Sequence, residues 1–358
     1  MNPLKIAVLY GGKSTEHEVS VHSAQTVCRT LISQPERYTV YPIFIDKQKG
    51  HWFLQKECGP QTAEDKPITP VLAEHTLAAL DGSFQLDVDV FFPVLHGTNG
   101  EDGTMQGLLE TLDVPYVGCN VLSSAMCMDK DVSKLLVRDI GVPTLPYCLI
   151  SKDIPYDKEA IEAWASQQGL PVFVKPVRLG SSVGVRKVKV LSQLKPAIEF
   201  ALQFDTDVMV EKGIDGAREI FCGVYTALDE THVSACGELR SIAGEFFDYD
   251  AKYITEGGCE TNVPADIPQV TAMQMRADSL KIYQRLHGNG LARVDFLMDK
   301  ETGKYYFSEI NTIPGMSETS LFPQLFEASG RAYTLILDEL IQQAQQIHAE
   351  KTKLSFNR

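Results

Sequence analysis

Short apolar runs alternate with amphipathic stretches in the first third of the chain. Residues 5–10 are largely apolar and end at Gly11 and Gly12, a pattern typical of a buried parallel strand. The elements predicted after this strand are a helix at 19–31, a strand at 38–45, a strand at 89–96 and a helix at 104–112. Thr15 and Glu18 have the spacing of a capping box for the first helix. Strands that alternate with helices predict an open, mostly parallel α/β sheet, in which ligands bind beyond the carboxyl ends of the strands.

From about residue 123 the pattern changes to a mixture of helices and antiparallel strands. The predicted helices are 128–140, 158–168, 192–204 and 268–286, and the predicted strands are 171–175, 183–190, 207–214 and the two arms of a hairpin at 291–312. We therefore predict three consecutive domains: an N-terminal α/β domain at 1–124, a central α+β domain at 125–211 and a C-terminal α+β domain at 212–348.

Length and charge limit the classes of protein that fit. The 358 residues are 44% hydrophobic, enough for two or three cores, and their formal net charge is -14. That charge argues against a nucleic-acid-binding protein, although a few lysines in a cleft suffice for one nucleotide. No apolar run approaches the ~20 residues of a membrane span. Eight scattered cysteines without a C-x-x-C pair, and an N-terminus without a signal-peptide pattern, predict a cytoplasmic protein with reduced thiols.

The predicted hairpin carries the clearest chemical pattern. If residues 301–303 form its loop, Asp295 lies opposite Glu309. Arg293 then lies opposite Asn311, and alternation places all four side chains on one face. Facing carboxylates repel each other, so two carboxylates and an amide favour a bound cation, and oxygen ligands of this kind suit Mg²⁺ with substrate phosphates in its shell. On spacing alone, a solvated sheet face is an equally good interpretation.

A glycine-rich loop lies between two predicted strands. Gly180 and Gly184 would let backbone N–H groups approach phosphate oxygens. Ser181 and Ser182 add hydroxyl donors, and Lys175 ends the preceding strand within reach of a phosphate. Taken alone, the loop fits an ordinary hairpin turn. Beside a magnesium-binding hairpin, a phosphate-binding lid is the better interpretation.

The strand predicted at 207–214 leads from the central domain into the last one. Its backbone is free at its end, so it could pair with the edge of an adenine ring. On this pattern alone, a strand that simply connects two domains is the favoured interpretation.

Taken together, these motifs resemble the D-alanine–D-alanine ligase family of the ATP-grasp superfamily. The resemblance covers nearly the whole chain, through segments at 11–20, 94–107, 128–130, 175–184, 211–214, 246–253, 292–296 and 309–321. It implies a three-domain ATP-grasp fold in which two α+β domains grip ATP. It also implies an activity, which is the ATP-dependent joining of two D-alanines through a D-alanyl phosphate. The implied setting is peptidoglycan precursor synthesis by a cytoplasmic homodimer, with no nucleic-acid or membrane partner.

The resemblance implies a role for each matching residue. ATP is expected to contact Lys130, Lys175, Ser181, Ser182, Glu211, Lys212, Ile214, Glu219 and, at the transferred phosphate, Lys252. Two Mg²⁺ or Mn²⁺ ions are expected on Asp295, Glu309 and Asn311. The two D-alanines are expected at Glu16, His96, Arg293, Gly315, Ser320 and Leu321. The residues expected to act in catalysis are Arg293 and Gly315, at the oxyanion, and the hydrogen-bonded trio of Glu16, Ser181 and Tyr253.

The residues around the expected adenine contacts differ from the family pattern at two places. Gly213 stands where a bulkier residue is expected beside the adenine. One extra residue also precedes Glu219, in the segment 215–218. Both departures concern the contacts to adenine and leave the chemistry unchanged.

Two competing hypotheses remain beside the ligase. One is a D-alanine–D-lactate ligase of the vancomycin-resistance type, against which Tyr253, Ser320 and Leu321 argue. The other is a nucleotide-binding regulator with an inactive site. That regulator would have a broken metal face, whereas the predicted face is intact.

Overall fold

Three β-sheets, each with flanking helices, follow one another along the chain. The computed structural model describes residues 2–72, 74, 76–228, 230–241 and 259–355. This is the succession of α/β and α+β units that the sequence predicts. No helix in these ranges is both long and apolar enough to cross a bilayer.

The first sheet is parallel only at one end. Its strands are β1 (Leu4–Gly11), β2 (Tyr38–Ile45), β3 (Trp52–Leu54), β4 (Lys66–Val71), β5 (Thr76–Ala79), β6 (Gln85–Leu86) and β7 (Val90–Val94). They lie in the order β6-β5-β4-β3-β2-β1-β7, and only β2-β1-β7 pair in parallel. The antiparallel strands β3 to β6 were not predicted, because strands of two to six residues show little hydrophobic alternation and β4 also contains two prolines.

Helix α1 (His17–Ile32) starts two residues before its predicted beginning. Its N-cap is Glu16, and no side chain caps the helix there, so the predicted capping box of Thr15 and Glu18 is wrong. Glu18 instead forms an ion pair with Lys47, at 2.9 Å. The longer helix brings Glu16 to the end of the first βα loop, where ligands of such sheets bind.

The second sheet follows helices α2 (Thr104–Thr111), α3 (Val121–Met128) and α4 (Lys130–Asp139). Its strands are β8 (Tyr147–Ser151), β9 (Val172–Pro176), β10 (Arg186–Val188) and β11 (Asp207–Lys212), antiparallel in the order β10-β9-β11-β8. Helices α5 (Lys158–Gln168) and α6 (Leu194–Ala201) pack on it. Helix α3 was not predicted, and the helix predicted at 128–140 begins two residues later, directly after Asp129. That side chain accepts hydrogen bonds from the N–H groups of Asp131 and Val132 and so caps α4.

The third sheet is antiparallel throughout. Its strands are β12 (Arg218–Ala227), β13 (Glu230–Ser241), β14 (Cys259–Asn262), β15 (Leu291–Met298) and β16 (Tyr305–Asn311), in the order β14-β13-β12-β15-β16. The helices that follow or join it are α7 (Gln269–Arg285), α8 (Leu321–Glu327) and α9 (Tyr333–Lys351). Helix α9 shares a core with the first sheet, in which Ile336 and Leu340 join Val8 and Tyr10. The chain end therefore ties the first and third sheets together.

The hairpin of β15 and β16 has the predicted pairing at the candidate metal face. Asp295 pairs with Glu309, and Arg293 pairs with Asn311. The loop, however, has four residues (300–303) rather than three, because the N–H of Asp299 bonds to the carbonyl of Lys304 at 2.8 Å.

A β-bulge at Ser308 restores the predicted register. On one side of the bulge Phe296 pairs with Phe307, and on the other Asp295 pairs with Glu309. Phe307 and Ile310 are both buried although they are three positions apart, which strict alternation would forbid. The bulge therefore lets the strand keep two core residues and still present Glu309 to the opposite face.

Candidate active site

One cleft of about 1700 Å³ lies between the second and third sheets and extends to the loops that follow β1 and β7. Every described residue that the sequence analysis assigns to the site lines this cleft. These residues are Glu16, His96, Lys130, Lys175, Ser181, Ser182, Glu211, Lys212, Ile214, Glu219, Arg293, Asp295, Glu309, Asn311, Gly315, Ser320 and Leu321. Lys252 and Tyr253, which were predicted for the same site, lie outside the described residues. The sequence motifs thus converge on a single site.

Protein cations neutralise the carboxylates on the hairpin face. Arg293 donates two hydrogen bonds to Asp295, each 2.7 Å long. The amide of Asn311 donates another to Asp295, at 3.1 Å. Glu309 pairs instead with Lys130 of α4, at 3.0 Å. One arginine and one lysine thereby offset the repulsion that two facing carboxylates would create.

The donor set of this face fits Mg²⁺ or Mn²⁺. Asp295, Glu309 and Asn311 carry side-chain oxygens, which are the ligands that these hard cations prefer. Within the described ranges, no group of three or more histidine, cysteine, aspartate or glutamate side chains could hold a metal by itself. Phosphate oxygens and water would therefore complete the coordination shell, which is the usual arrangement for Mg²⁺.

Three charged side chains form a row at the cleft wall, and two of them, Lys175 and Glu211, line the cleft. Oε2 of Glu211 is 2.5 Å from Nζ of Lys175, and Oε1 is 2.8 Å from Nζ of Lys134. Burial raises the pKa of the Glu211 carboxyl, but the two lysines outweigh burial, and the net pKa is lowered. Glu211 is therefore a carboxylate in the folded protein and holds Lys175 at the cleft wall.

The glycine-rich loop covers the cleft with a strained backbone. Ser181 and Ser182 have φ angles of 50° and 58°. This is the left-handed backbone conformation, which residues other than glycine rarely adopt. The Ser181 hydroxyl donates a hydrogen bond to Oε1 of Glu16, so this part of the expected trio is present. Nζ of Lys130 donates to the carbonyl of Leu179, at 2.6 Å. The loop is thus attached to α1 and to α4, on two sides of the cleft.

Two acidic side chains are buried beside this loop, and the sequence analysis singled out only one of them. Burial raises the pKa of Glu16. Burial also raises the pKa of Glu101 to about 8, and the neighbouring charge of Glu16 adds to the increase. The Glu101 carboxyl accepts hydrogen bonds from the N–H groups of Gly97, at 2.7 Å, and Ile313, at 3.0 Å. Glu101 therefore fastens the glycine loop after β7 to the chain that leaves the hairpin.

His96 braces the segment at 313–316. Its Nδ1 lies 2.8 Å from the carbonyl oxygen of Ile313, and its Nε2 lies 2.9 Å from Oγ of Ser23. A carbonyl only accepts, so Nδ1 carries the proton, and the Ser23 hydroxyl donates to Nε2. Burial lowers the pKa of His96 to about 4, so the ring is neutral. Both ring nitrogens form hydrogen bonds within the protein. His96 therefore holds this segment in place in addition to lining the cleft.

The segment after the hairpin is compact because residue 315 is glycine. A Cβ at Gly315 would lie 2.8 Å from Oγ of Ser320. The same oxygen accepts a hydrogen bond from the N–H of Ser317, at 3.1 Å. This turn places the Gly315 backbone and Leu321 in the same wall of the cleft.

The packing around Phe173 explains the departure at Gly213. A Cβ at Gly213 would lie 2.8 Å from the Phe173 ring and 2.7 Å from the carbonyl oxygen of Pro171. Phe173 thus fills the space that a larger residue 213 would need. Lys212 and Ile214 line the cleft beside it.

Phe221 supports Arg293, and the sequence analysis missed it. The Arg293 guanidinium carbon lies 5.2 Å from the centre of the Phe221 ring, within the range of a cation–π interaction. Phe221 is the cross-strand partner of Asp295. Nothing in the apolar pattern of β12 distinguishes this phenylalanine from its neighbours, so only the fold reveals the contact.

The fold and the site together define a ligase of the ATP-grasp class, with a lid and a carboxylate hairpin between two α+β units. The family models described as D-ala D-ala ligase N-terminus and D-ala D-ala ligase C-terminus match residues 5–119 and 136–342. The chain therefore belongs to the D-alanine–D-alanine ligase family, as the motifs predicted.

Individual relatives match along their whole length. A D-alanine–D-alanine ligase from Thermoanaerobacter sp. (strain X514) is 43% identical over 364 residues, which cover 99% of each chain. The solved D-alanine–D-alanine ligase from Coxiella burnetii is 33% identical with a TM-score of 0.86, over 99% of this chain and 97% of that one. The VanG D-Ala:D-Ser ligase from Enterococcus faecalis is 34% identical with a TM-score of 0.82, over 96% and 99%. These likenesses confirm the predicted fold.

Proposed function

We propose that this protein joins two D-alanines into D-alanyl-D-alanine, with ATP as the source of energy, for peptidoglycan precursor synthesis. The observation that carries the proposal is the meeting of the lid, the carboxylate hairpin and the Glu16–His96 region in one cleft. The full-length similarity to proteins named D-alanine–D-alanine ligase supports the choice of substrate.

ATP would lie between the second and third sheets. Lys130 and Lys175 would hold its phosphates, together with the backbone N–H groups of the lid, and Lys252 would reach the transferred group. Its adenine would lie beside Lys212 and Ile214. The remaining proposed nucleotide contacts are Ser181, Ser182, Glu211 and Glu219.

Asp295, Glu309 and Asn311 would hold two divalent cations. When bound, Mg²⁺ or Mn²⁺ would offset the charge of the phosphates during phosphoryl transfer. The hairpin supplies a rigid scaffold for these ligands, because the opposite face of β15 and β16 is buried in the core.

The reaction would proceed in two steps, because a carboxylate is a poor electrophile. The γ-phosphoryl group of ATP is first transferred to the carboxylate of one D-alanine, and ADP is the leaving group. The amine of the second D-alanine then attacks the acyl carbon, the C–N bond forms, phosphate leaves and the amine loses a proton. Arg293 and the N–H of Gly315 would stabilise the tetrahedral oxyanion. The Ser181–Glu16 contact keeps the lid over the acyl phosphate and so excludes water.

A coupled assay of ADP release against a panel of D-alanine, D-serine and D-lactate tests the proposal. We expect ADP release that requires D-alanine, and D-alanyl-D-alanine as the main product. A mixed dipeptide as the main product would show that the second substrate is D-serine, and an ester would show that it is D-lactate. The absence of any D-alanine-dependent ADP release would refute the function.

The family resemblance also supports a homodimer, and the division of the chain at residues 124 and 211 stays a proposal. Those positions fall inside α3 and β11. Light scattering in solution tests the dimer, and limited proteolysis tests where the domains separate.

A further inference from the structure

Lys134 is a fully buried lysine that the proposed chemistry does not use. Its side chain is 0% exposed, and it lies behind the cleft rather than in its lining. Its Nζ donates a hydrogen bond to the backbone carbonyl of Phe307, at 3.2 Å, and lies 5.7 Å from the centre of that ring. Lysine is almost never fully buried without a partner, since the loss of hydration is costly. The partner here is Glu211, at 2.8 Å.

Glu211 binds two lysines that come from different elements. Lys134 belongs to α4 and meets Oε1, whereas Lys175 belongs to β9 and meets Oε2. The three side chains together carry one net positive charge. Lys175 is the lysine of the pair that lines the cleft, so this net charge faces the ligand. Without Lys134, the carboxylate of Glu211 would cancel the charge of Lys175.

We propose that Lys134 is a positioning residue for the nucleotide, which neutralises Glu211 so that the charge of Lys175 stays available to the phosphates of ATP. The inference rests on the proposed function, because it requires a phosphate at Lys175. Lys134 touches no substrate and acts through Glu211.

The surroundings of Lys134 agree with this role. Burial lowers the pKa of Lys134 to about 8, although the charge of Glu211 opposes the decrease. The ammonium group therefore keeps its proton at neutral pH. Its bond to the Phe307 carbonyl ties α4 to β16, so the same side chain contacts elements on both sides of the nucleotide cleft.

The test uses the full chain and measures binding calorimetrically, with ATP, ADP and adenosine as ligands and without D-alanine, so that no turnover occurs. The variants are Lys134→Met, Glu211→Gln and the double variant. Methionine keeps much of the lysine volume without charge, and glutamine keeps the shape of the glutamate. Lys195→Met changes an exposed lysine of α6 that pairs with Glu199 at 3.5 Å, and controls for the loss of one charge far from the cleft.

Charge compensation predicts a specific pattern. Lys134→Met should weaken ATP and ADP binding by about tenfold and leave adenosine binding unchanged, because only the phosphates sense the lost charge. The double variant should return the ratio of ATP to adenosine affinity to within roughly threefold of its wild-type value, since no carboxylate then cancels the charge of Lys175, and the ratio removes any contact that Glu211 makes to the adenosine part. If Lys134 had only a structural role, Lys134→Met would weaken adenosine binding as well. Adding Glu211→Gln would then not restore the binding of ATP.

The failures of the two proposals are distinguishable. Wild-type protein that does not bind ATP would refute the proposed function itself. Wild-type protein that binds ATP, with a Lys134→Met variant of equal affinity, would refute the role of Lys134 alone. If Lys134→Met does not fold, Lys134→Gln takes its place, since glutamine is uncharged and can still donate a hydrogen bond to the Phe307 carbonyl. The same tenfold loss for ATP and ADP is expected, and an affinity equal to that of wild type would overturn the inference.

Discussion

The hairpin and the lid both bring polar groups to the cleft, but they are built in opposite ways. The hairpin strands bury Val294, Phe296 and Ile310 on one face, and its carboxylates are paired with cations on the other. The lid holds Ser181 and Ser182 in strained backbone conformations and is attached by a few side-chain contacts. Groups that must hold their geometry thus lie on a packed scaffold. Under the proposed function, the groups that admit and release the nucleotide lie on a loop.

The largest effect is expected at the hairpin. Glu309→Gln removes a proposed cation ligand and leaves Lys130 without its carboxylate. We expect Mg²⁺-dependent turnover to fall on the order of a thousandfold, while thermal stability changes little, because the lost ion pair with Lys130 and the relieved repulsion from Asp295 act in opposite directions. Glu301→Gln in the exposed hairpin loop is the matched control and should be fully active. Near-normal turnover in Glu309→Gln would remove this residue from the metal site.

A substitution in the lid should have the next largest effect. Gly184 has a φ of 75°, and a Cβ there would lie 2.7 Å from Cγ of Pro176. Gly184→Ala should therefore distort the lid and lower kcat/KM for ATP roughly 10- to 100-fold. Gly303→Ala is the control in the hairpin loop, where φ is 68° but no atom is within 4 Å of the added Cβ. It should lower the free energy of unfolding by about 1 kcal/mol and leave the kinetics unchanged. Equal kinetic losses in both would show that strain alone is responsible.

Ser181 should have a smaller and more selective effect. Ser181→Ala removes the bond between the lid and Glu16. We expect the KM for D-alanine to rise about tenfold, with a lesser change in the KM for ATP. A double-mutant cycle with Tyr253→Phe measures whether the two residues act together, as the expected trio requires. Strictly additive effects would exclude the coupling.

The smallest effect concerns the pH dependence of stability at Glu101. Because its pKa is raised from 4.5 to about 8, Glu101 favours the folded state at low pH, and this contribution is lost as the pH rises through that range. Urea unfolding of wild type should therefore show falling stability between those pH values. The fall should be smaller in Glu101→Gln than in Glu36→Gln, which alters an exposed glutamate. Parallel profiles would contradict the raised pKa.

The hairpin shows which structural features the sequence pattern could predict and which it could not. Counting from a three-residue loop predicted the pairing of Asp295 with Glu309, and that pairing is confirmed. The loop length itself was wrong, and the bulge at Ser308 compensates for the extra loop residue. Alternation cannot reveal a bulge in advance, because the irregular spacing of Phe307 and Ile310 only gains meaning once the core is known.

The burial of charged side chains was also not predictable from the sequence. Lys134 and Glu101 look like surface positions in the sequence, since burial of a charge depends on partners that are distant along the chain. Helix α3 was likewise not predicted, and the cap at Asp129 starts the next helix two residues later than apolar periodicity predicts. The residues that motifs could identify converge on the cleft, whereas the residues that support them required the fold.

The two left-handed serines set a limit on how this chain can be made more heat-resistant. Glycine accepts a φ of 50° or 58° without strain, so replacing either serine by glycine would remove local strain. At position 181 the same change deletes the hydroxyl that fastens the lid to Glu16. A more heat-resistant form of this protein therefore has to keep the strained Ser181 and to gain its stability at other positions.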